Sequence, residues 1–433
     1  MKKILFILYT CCILSFPVRA QQIPSFKAND RIVFLGNSIT EGGHYHSYIW
    51  LYYMTHFPNL PLRMYNGGIG GDCVSHMVYR FDSDIKIKKP TYLICSFGMN
   101  DSGFDGYNKP GYDKYANQQV EYAHTEFEKL QRQILADKKI KSVVLLGSPP
   151  YDENVKLKGV ETLHGKNETI KRIIEMQAEV AQKRGWGFVN FNTVMCGLNK
   201  QIQLSDSTAT FCGGDRIHPD KDGHMVMAYL FLKAQGLAGQ EIASFQINAT
   251  NRKAMEERNC RISHIKNEND TISFRYLSRS LPFPIDTIPR WGTKGTARDA
   301  IRQIPFMQEM NQEIMKVTDL HGIFRVTIDG IEIGCWSGDE LSKGVNLAEI
   351  TCTPQYQQSL SIMHLNEERC AIEKRLRQYM AMQYVFFKHR GLLFADNKAA
   401  LDVAKAERES HYLVKYLYTN YTQAMFPQIR EAW

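Results

Sequence analysis

The segment Ile32-Val33-Phe34-Leu35-Gly36-Asn37-Ser38 runs four apolar residues into a polar turn that presents a serine. A serine hydroxyl is a weak nucleophile until a neighbouring base takes its proton, so acyl-transfer chemistry at Ser38 requires a histidine and a group to orient it. Of the 13 histidines, only His218 has an aspartate three residues earlier, Asp215, in GGDRIHPDKDGH. On a loop, that spacing lets the carboxylate reach the imidazole Nδ1–H and leaves Nε2 to accept the serine proton. Pro219 and Asp222-Gly223 mark a turn ahead of a helix, which puts the pair on a loop. The reaction also needs donors aimed at the oxyanion that develops on the carbonyl. In YNGGIGGDC, residues 65–73, the glycines let backbone N–H groups approach a ligand closely. In SFGMND, residues 96–101, Asn100 supplies a side-chain amide donor.

These residues need a scaffold that brings distant loops to one edge. Short β-branched or aromatic runs bounded by Gly, Asn or Pro predict strands at 31–35, 62–65, 92–97, 142–146 and 187–191. Between them, Val120, Ala123, Phe127, Leu130 and Ile134 keep helical spacing, as do Ile170, Ile173, Ile174, Ala178 and Ala181 before Gly185. Alternation of strand and helix predicts an α/β fold with a parallel sheet covered on both faces. Such sheets bind ligands at the carboxyl ends of their strands, and Ser38 follows the first strand at that end.

Past Leu237 the pattern changes. CRISHIKNENDTISFRYL reads as two strands around a polar turn, and IMKVTDLHGIFRVTIDGIEIGCW as three more with Asp329-Gly330 as a hairpin turn. A small antiparallel β unit is expected over 245–365, with the proline-rich SLPFPIDTIPRW as a connector inside it. A helical C-terminal segment is expected over 366–433, with a second helix over 397–423. The aromatic run YVFFKH, 384–389, is read as helix core.

The chain has 433 residues, 44% apolar and 23% charged, an ordinary globular composition for more than one domain. Lys2 and Lys3 ahead of the apolar run Ile4 to Phe16, with Val18-Arg19-Ala20 as a small-x-small site, predict a cleaved signal peptide over 1–20 and a secreted or periplasmic product. A run of thirteen residues falls short of a bilayer span, so no stable membrane insertion is expected after cleavage. Removing Lys2, Lys3 and Arg19 lowers the net charge from +8 to +5. That mild excess has no aromatic-interleaved basic stripe and does not indicate nucleic acid. Lys86 to Lys89 is read as a solvated helix end or loop. Export leaves eight cysteines, enough for disulfides, with Cys196 and Cys212 as one candidate bridge.

Taken together, the four blocks resemble those of the SGNH (GDSL-like) hydrolases. Gly36-Asn37-Ser38, Gly67-Gly68-Ile69-Gly70-Gly71-Asp72, Gly98-Met99-Asn100-Asp101 and Asp215-Arg216-Ile217-His218 match the family's blocks in order. The resemblance covers 30–238, so the hydrolase domain is set at 21–240. It implies a flavodoxin-like three-layer α/β/α sandwich and ester hydrolysis with no metal and no cofactor. It makes Ser38 the nucleophile, His218 the general base and Asp215 its orienter, with the Ser38 and Gly71 backbone N–H groups and the Asn100 side chain as the oxyanion hole. Asn37 stands where the family most often has Asp, and a turn of the same kind is expected. The part after 245 more faintly resembles an extension found behind such domains in environmental and gut bacteria.

Competing readings are weaker. A G-x-G-x-x-G dinucleotide frame begun at Gly68 ends on Cys73. His44 and His46 are read as pocket-lining or helix-start residues, His224 as packing at a helix start, and Asp72 and Asp101 as turn and capping groups. Arg216 is assigned either to a substrate oxygen or to solvent. The expected substrate is an acylated glycan, foremost an O-acetylated one. A lipid or lysophospholipid ester, an acyltransferase, and a non-catalytic glycan-binding protein are the alternatives.

Overall fold

A computed structural model describes residues 22–269, 271–289 and 292–432, so the expected leader over 1–20 lies outside the described residues. Strands β1 (Arg31–Gly36), β2 (Arg63–Gly68), β3 (Tyr92–Phe97), β4 (Ser142–Gly147) and β5 (Gly187–Asn190) form one sheet in the order β2-β1-β3-β4-β5. Every pairing in it is parallel. This is the flavodoxin-like order, whose switch point lies between β1 and β3.

The period of two along each strand divides its side chains between two cores. Ile32 and Phe34 of β1, with Tyr92 and Ile94 of β3, pack against helices α2 (His44–His56), α6 (Phe191–Ile202) and α7 (Lys221–Ala234). Val33, Leu35, Leu93, Cys95 and Phe97 face α3 (Val74–Arg80), α4 (Tyr112–Ala136) and α5 (Lys166–Arg184) on the other side. Helix α1 (Ser38–Glu41) is a single turn directly after β1. The strand and helix runs expected from periodicity thus form the three layers.

The second half departs from expectation in four places. Strand β6 (Ala243–Asn248) pairs antiparallel with β7 (Lys253–Arg258) but parallel with β10 (Glu313–Thr318). The β unit is therefore not purely antiparallel. More than 60 residues separate β6 from β10, ample chain for the crossover that a parallel pair requires. The order is completed by β13 (Val345–Asn346) beside β10. The expected hairpins β8–β9 (Cys260–Glu268, Thr271–Ser278) and β11–β12 (Ile323–Ile328, Ile331–Ser337) are each two-stranded and antiparallel.

The proline-rich connector, second, does not stay inside that unit. Phe283 and Ile285 are buried in the hydrolase core with α2 and α7, beside the short helices α8 (Ala297–Ile301) and α9 (Phe306–Met310). The Leu281 N–H donates to the Thr55 carbonyl at 2.8 Å, and Asp286 pairs with Lys221 at 2.6 Å. With φ fixed by proline, this stretch buries its apolar residues without a ladder of its own.

Third, after the short α10 (Gly338–Lys343), the long C-terminal helix α11 (Pro354–Ala381) begins a dozen residues earlier than expected. Thr353 caps it by accepting from the Tyr356 N–H, and Pro354 occupies the first turn. The run 397–423, fourth, is two helices, α12 (Lys398–Ala406) and α13 (Tyr412–Ala424). Phe386 and Phe387 lie in the apolar core they share with α11, and Ile69 of the hydrolase half is buried in that same core.

Among the described residues all eight cysteines are free, Cys196 and Cys212 included, so that bridge is not formed. The Cys212 sulfur accepts instead from the Asn199 amide at 3.4 Å. Lys88 is not solvated as expected for the 86–89 run; it donates to the buried Asp84 carboxylate at 2.6 Å.

Candidate active site

Ser38 lies where β1 passes into α1. Asn37, 2% exposed, caps that helix: its side-chain oxygen accepts from the Ile39 N–H at 3.0 Å. An asparagine performs this cap as an aspartate would, which explains how the block tolerates the departure at 37. As the first helical residue, Ser38 has a backbone N–H with no partner inside α1.

The helix is pressed onto the end of β2. A Cβ on Gly68 would lie 2.2 Å from the Glu41 nitrogen and 2.8 Å from the Asn37 carbonyl oxygen. Both obstacles are backbone and cannot swing aside. Gly68→Ala is therefore expected to push α1 off the strand, costing about 2–3 kcal/mol. A lower melting temperature together with reduced kcat checks this; unchanged values of both contradict it.

The GGDRIH loop brings His218, the expected base, to Ser38. The His218 Nε2 lies 2.8 Å from the Ser38 Oγ, and Nδ1 lies 2.5 Å from the Asp215 Oδ2. The other carboxylate oxygen, Oδ1, accepts from the Ile217 and His218 N–H groups at 3.0 and 2.9 Å. Burial pushes the Asp215 carboxyl up, but the His218 ring and those two N–H groups outweigh it and hold the group below its usual range. The side chains of His218 and Asp215 are 38% and 49% exposed, so the serine–imidazole contact is open to a solute.

Two left-handed residues shape the loop. Gly213 has φ +71°, and a Cβ there would meet the His218 carbonyl oxygen at 1.9 Å. Arg216 also has φ +71°, and this turns its side chain inward. It faces neither solvent nor a substrate oxygen. At 3% exposure, its Nη1 donates to the Asp152 and Val155 carbonyls at 3.0 and 2.6 Å. Arg216 thus anchors the Asp215–His218 loop to the segment after β4.

Two of the expected oxyanion donors, Gly71 and Asn100, are linked through Asp72. The Asn100 Nδ2 donates to the Asp72 carbonyl at 3.0 Å, next to Gly71. Gly71 has φ +81°, and nothing stands within 4 Å of where its Cβ would be. Its backbone is accordingly exposed on the rim. Asp101 is a capping group, as expected: it accepts from the Val74 and Gly98 N–H groups at 2.7 and 2.8 Å. Asp72 forms an ion pair with Arg80 at 2.7 Å.

His46 is buried and shares a hydrogen bond with the Thr40 carbonyl, and burial lowers its pKa to about 4. His224 accepts from the Tyr45 N–H at 3.2 Å at the start of α2. His46 thus packs against the helix that begins at Ser38, and His224 against the start of α2 beside it.

Two supporting residues have no counterpart among the sequence expectations. Glu41 accepts from the Gly70 N–H, tying the serine helix to the glycine loop. It sits three residues from Ser38, which was the available cue. Lys166 is buried beneath the Asn100 block, donating to the Met99 carbonyl at 2.9 Å and the Ser102 hydroxyl at 2.6 Å. Burial lowers its pKa to about 7. Nothing near it in the sequence marks it.

Comparison with known proteins accords with this geometry. Residues 34–226 match the family model of the GDSL-like lipase/acylhydrolases, and residues 360–433 match that of a diltiazem deacetylase C-terminal helical domain. The chain is 48% identical to a gut microbial diltiazem-metabolizing enzyme of known structure, with a TM-score of 0.93 over 95% of this chain and 93% of that one. An acetylxylan esterase of Geobacillus stearothermophilus is 24% identical over 224 residues, 48% of this chain and 95% of that protein. Its crystal structure aligns at 20% identity over the same shares, with a TM-score of 0.39. The chain belongs to the GDSL-like lipase/acylhydrolase family and is a serine ester hydrolase with a helical C-terminal unit behind its catalytic fold.

Proposed function

We propose that the protein is an exported acetyl esterase that works through an acyl-enzyme on Ser38, with an O-acetylated glycan as its substrate. The observation that carries the reading is the 2.8 Å contact between the Ser38 Oγ and the His218 Nε2, with Asp215 on the far nitrogen. The Ser38 Oγ attacks the ester carbonyl carbon as its proton passes to Nε2. The carbonyl oxygen becomes an oxyanion facing the N–H groups of Ser38 and Gly71 and the Asn100 amide. The imidazolium returns the proton to the departing alkoxide, and the C–O bond breaks. Water, deprotonated by the same Nε2, then releases acetate.

Three observations support acetyl and glycan. The relatives at 48% and 24% identity include a diltiazem-metabolizing enzyme and an acetylxylan esterase. The model matching residues 360–433 is named for a deacetylase. The Lys2-Lys3 start, the apolar run Ile4 to Phe16 and Val18-Arg19-Ala20 favour export, where acetylated polysaccharides are met.

Acetylated xylo-oligosaccharides, diltiazem and a lysophospholipid, each incubated with the full chain and read by mass spectrometry, test the substrate. Loss of acetyl from the first two and an untouched lysophospholipid is the expected result. Hydrolysis of the lysophospholipid alone would refute it, and binding without turnover would make the protein a glycan receptor.

A further inference from the structure

Beneath the strand ends that carry the site lies a cluster of buried charges that the reaction described above does not use. Arg80, Asp84 and Arg377 are 0%, 0% and 2% exposed. The Asp84 carboxylate accepts a two-pronged hydrogen bond from Arg377, both arms 2.8 Å. It also accepts from Arg80 at 2.5 Å and from Lys88 at 2.6 Å. Buried ion pairs add little to stability, because desolvation offsets most of the attraction. Removing one partner, however, would leave the others as uncompensated buried charges, so the cluster firmly fixes whatever its remaining donors reach.

The remaining donors of the two arginines show where the cluster acts. Arg80 donates to the carbonyls of Gly36 and Gly67 at 3.2 and 2.7 Å and to the Asp72 side chain at 2.7 Å. Arg377 donates from Nε to the Gly68 carbonyl at 2.9 Å. One helical turn earlier, Glu373 accepts from the Asn66 N–H at 2.7 Å. Gly36 leads into Asn37-Ser38, Gly67 and Gly68 lead into Gly70-Gly71, and the Asp72 carbonyl holds Asn100. These glycines close the β1–β2 pairing, and the arginine N–H groups hold their carbonyls where the strands give way to the two loops. Catalysis needs that setting, since donors displaced by about 1 Å can cost about 100-fold in rate.

Arg377 and Glu373 belong to α11, inside the stretch that matches the deacetylase C-terminal unit only and not the acylhydrolase model. We infer that Arg377, with Glu373 beside it, is a positioning residue for the oxyanion pocket, so that the C-terminal helical unit takes part in ester hydrolysis. The inference rests on the oxyanion donors proposed above. A lysine at 377 keeps the charge but, with a single nitrogen, cannot hold both the Asp84 fork and the Gly68 carbonyl.

The test uses the full chain and the Arg377→Lys and Glu373→Ala variants, with turnover on a chromogenic acetate ester expressed per active site, the sites being titrated to completion with a fluorophosphonate. For Arg377→Lys, kcat is expected to fall about 10- to 100-fold. KM is expected to stay within about twofold, the pattern of an interaction made only in the transition state. Affinity for a boronic acid, whose serine adduct puts an oxygen in the oxyanion pocket, falls in parallel, whereas mere loss of folded protein would leave both values per site unchanged. Glu373→Ala shows the same pattern at about 3- to 10-fold, and decides the matter alone if Arg377→Lys does not fold. Per-site kcat and boronate affinity within about twofold of the parent in a folded variant overturn the inference. Ser38→Ala, run alongside, separates the two claims: if it still turns over, the site assignment fails; if it is inactive while Arg377→Lys is unimpaired, only the positioning role does.

Discussion

Replacing Ser38 with alanine is expected to lower kcat by about 10⁴- to 10⁶-fold while leaving KM nearly unchanged. The magnitude follows from the role: with the Oγ gone no acyl-enzyme forms, and what survives is the pull of the oxyanion donors on a water attack. Little structural cost accompanies the change. Asn37 still caps α1 from its own side chain, and the helix retains the Gly42 N–H bond to the Ser38 carbonyl at 2.9 Å. Steady-state kinetics on a chromogenic acetate ester read the effect directly, and the burst of the first turnover should vanish with it. A loss of less than tenfold would assign the chemistry to another residue.

The second large effect concerns Asp215. In the Asp215→Asn variant the side-chain oxygen can keep accepting from the Ile217 and His218 N–H groups, as the Oδ1 does now. The amide nitrogen then faces the His218 Nδ1 as a donor. Nδ1 must accept, its proton moves to Nε2, and Nε2 can no longer take the proton of Ser38. A fall in kcat of about 10³- to 10⁴-fold is expected, with KM preserved. The same substitution changes the acid response of stability. The folded carboxyl is held below its usual range, so its contribution is complete above the unfolded value and is lost as pH falls through the folded one. The variant, having no such group, should melt with a flatter dependence on pH over the acid range. A variant that retains kcat within tenfold would mean that Asp215 does not set the tautomer.

Strands and helices of the hydrolase half were legible because their residues obey one period each. Ile32 and Phe34 fall on one face of β1 and Val33 and Leu35 on the other, as alternation requires. Asp215 and His218 were legible from their three-residue spacing on a loop, and Ser38 from its place after the first strand together with the four blocks that resemble those of the SGNH hydrolases. Arg216 was misread because its inward turn depends on a positive φ, and no side-chain preference marks an arginine for that. The parallel pairing of β6 with β10 was hidden because partners so far apart in sequence leave no local trace. The same holds for Arg377, which meets Asp84 across 293 positions. Long-range partners of buried charges are set by the assembled fold, so the part of the site built from them emerges only there.

That division also explains why the second half of the chain looked detached. Its strands and helices read as separate units in sequence, yet the proline-rich stretch enters the hydrolase core through Phe283 and Ile285, and α11 reaches β2 through Arg377 and Glu373. Ile69, inside the glycine block, is buried among residues of the C-terminal helices.

The most direct test of the central claim is covalent labelling of the nucleophile. The full chain is treated with a fluorophosphonate, digested, and mapped by mass spectrometry, beside the His218→Ala variant. A single phosphonyl adduct on Ser38, with labelling slowed sharply when His218 is removed, is the predicted result. An adduct on a different residue, or labelling of Ser38 that is indifferent to His218, would contradict the account.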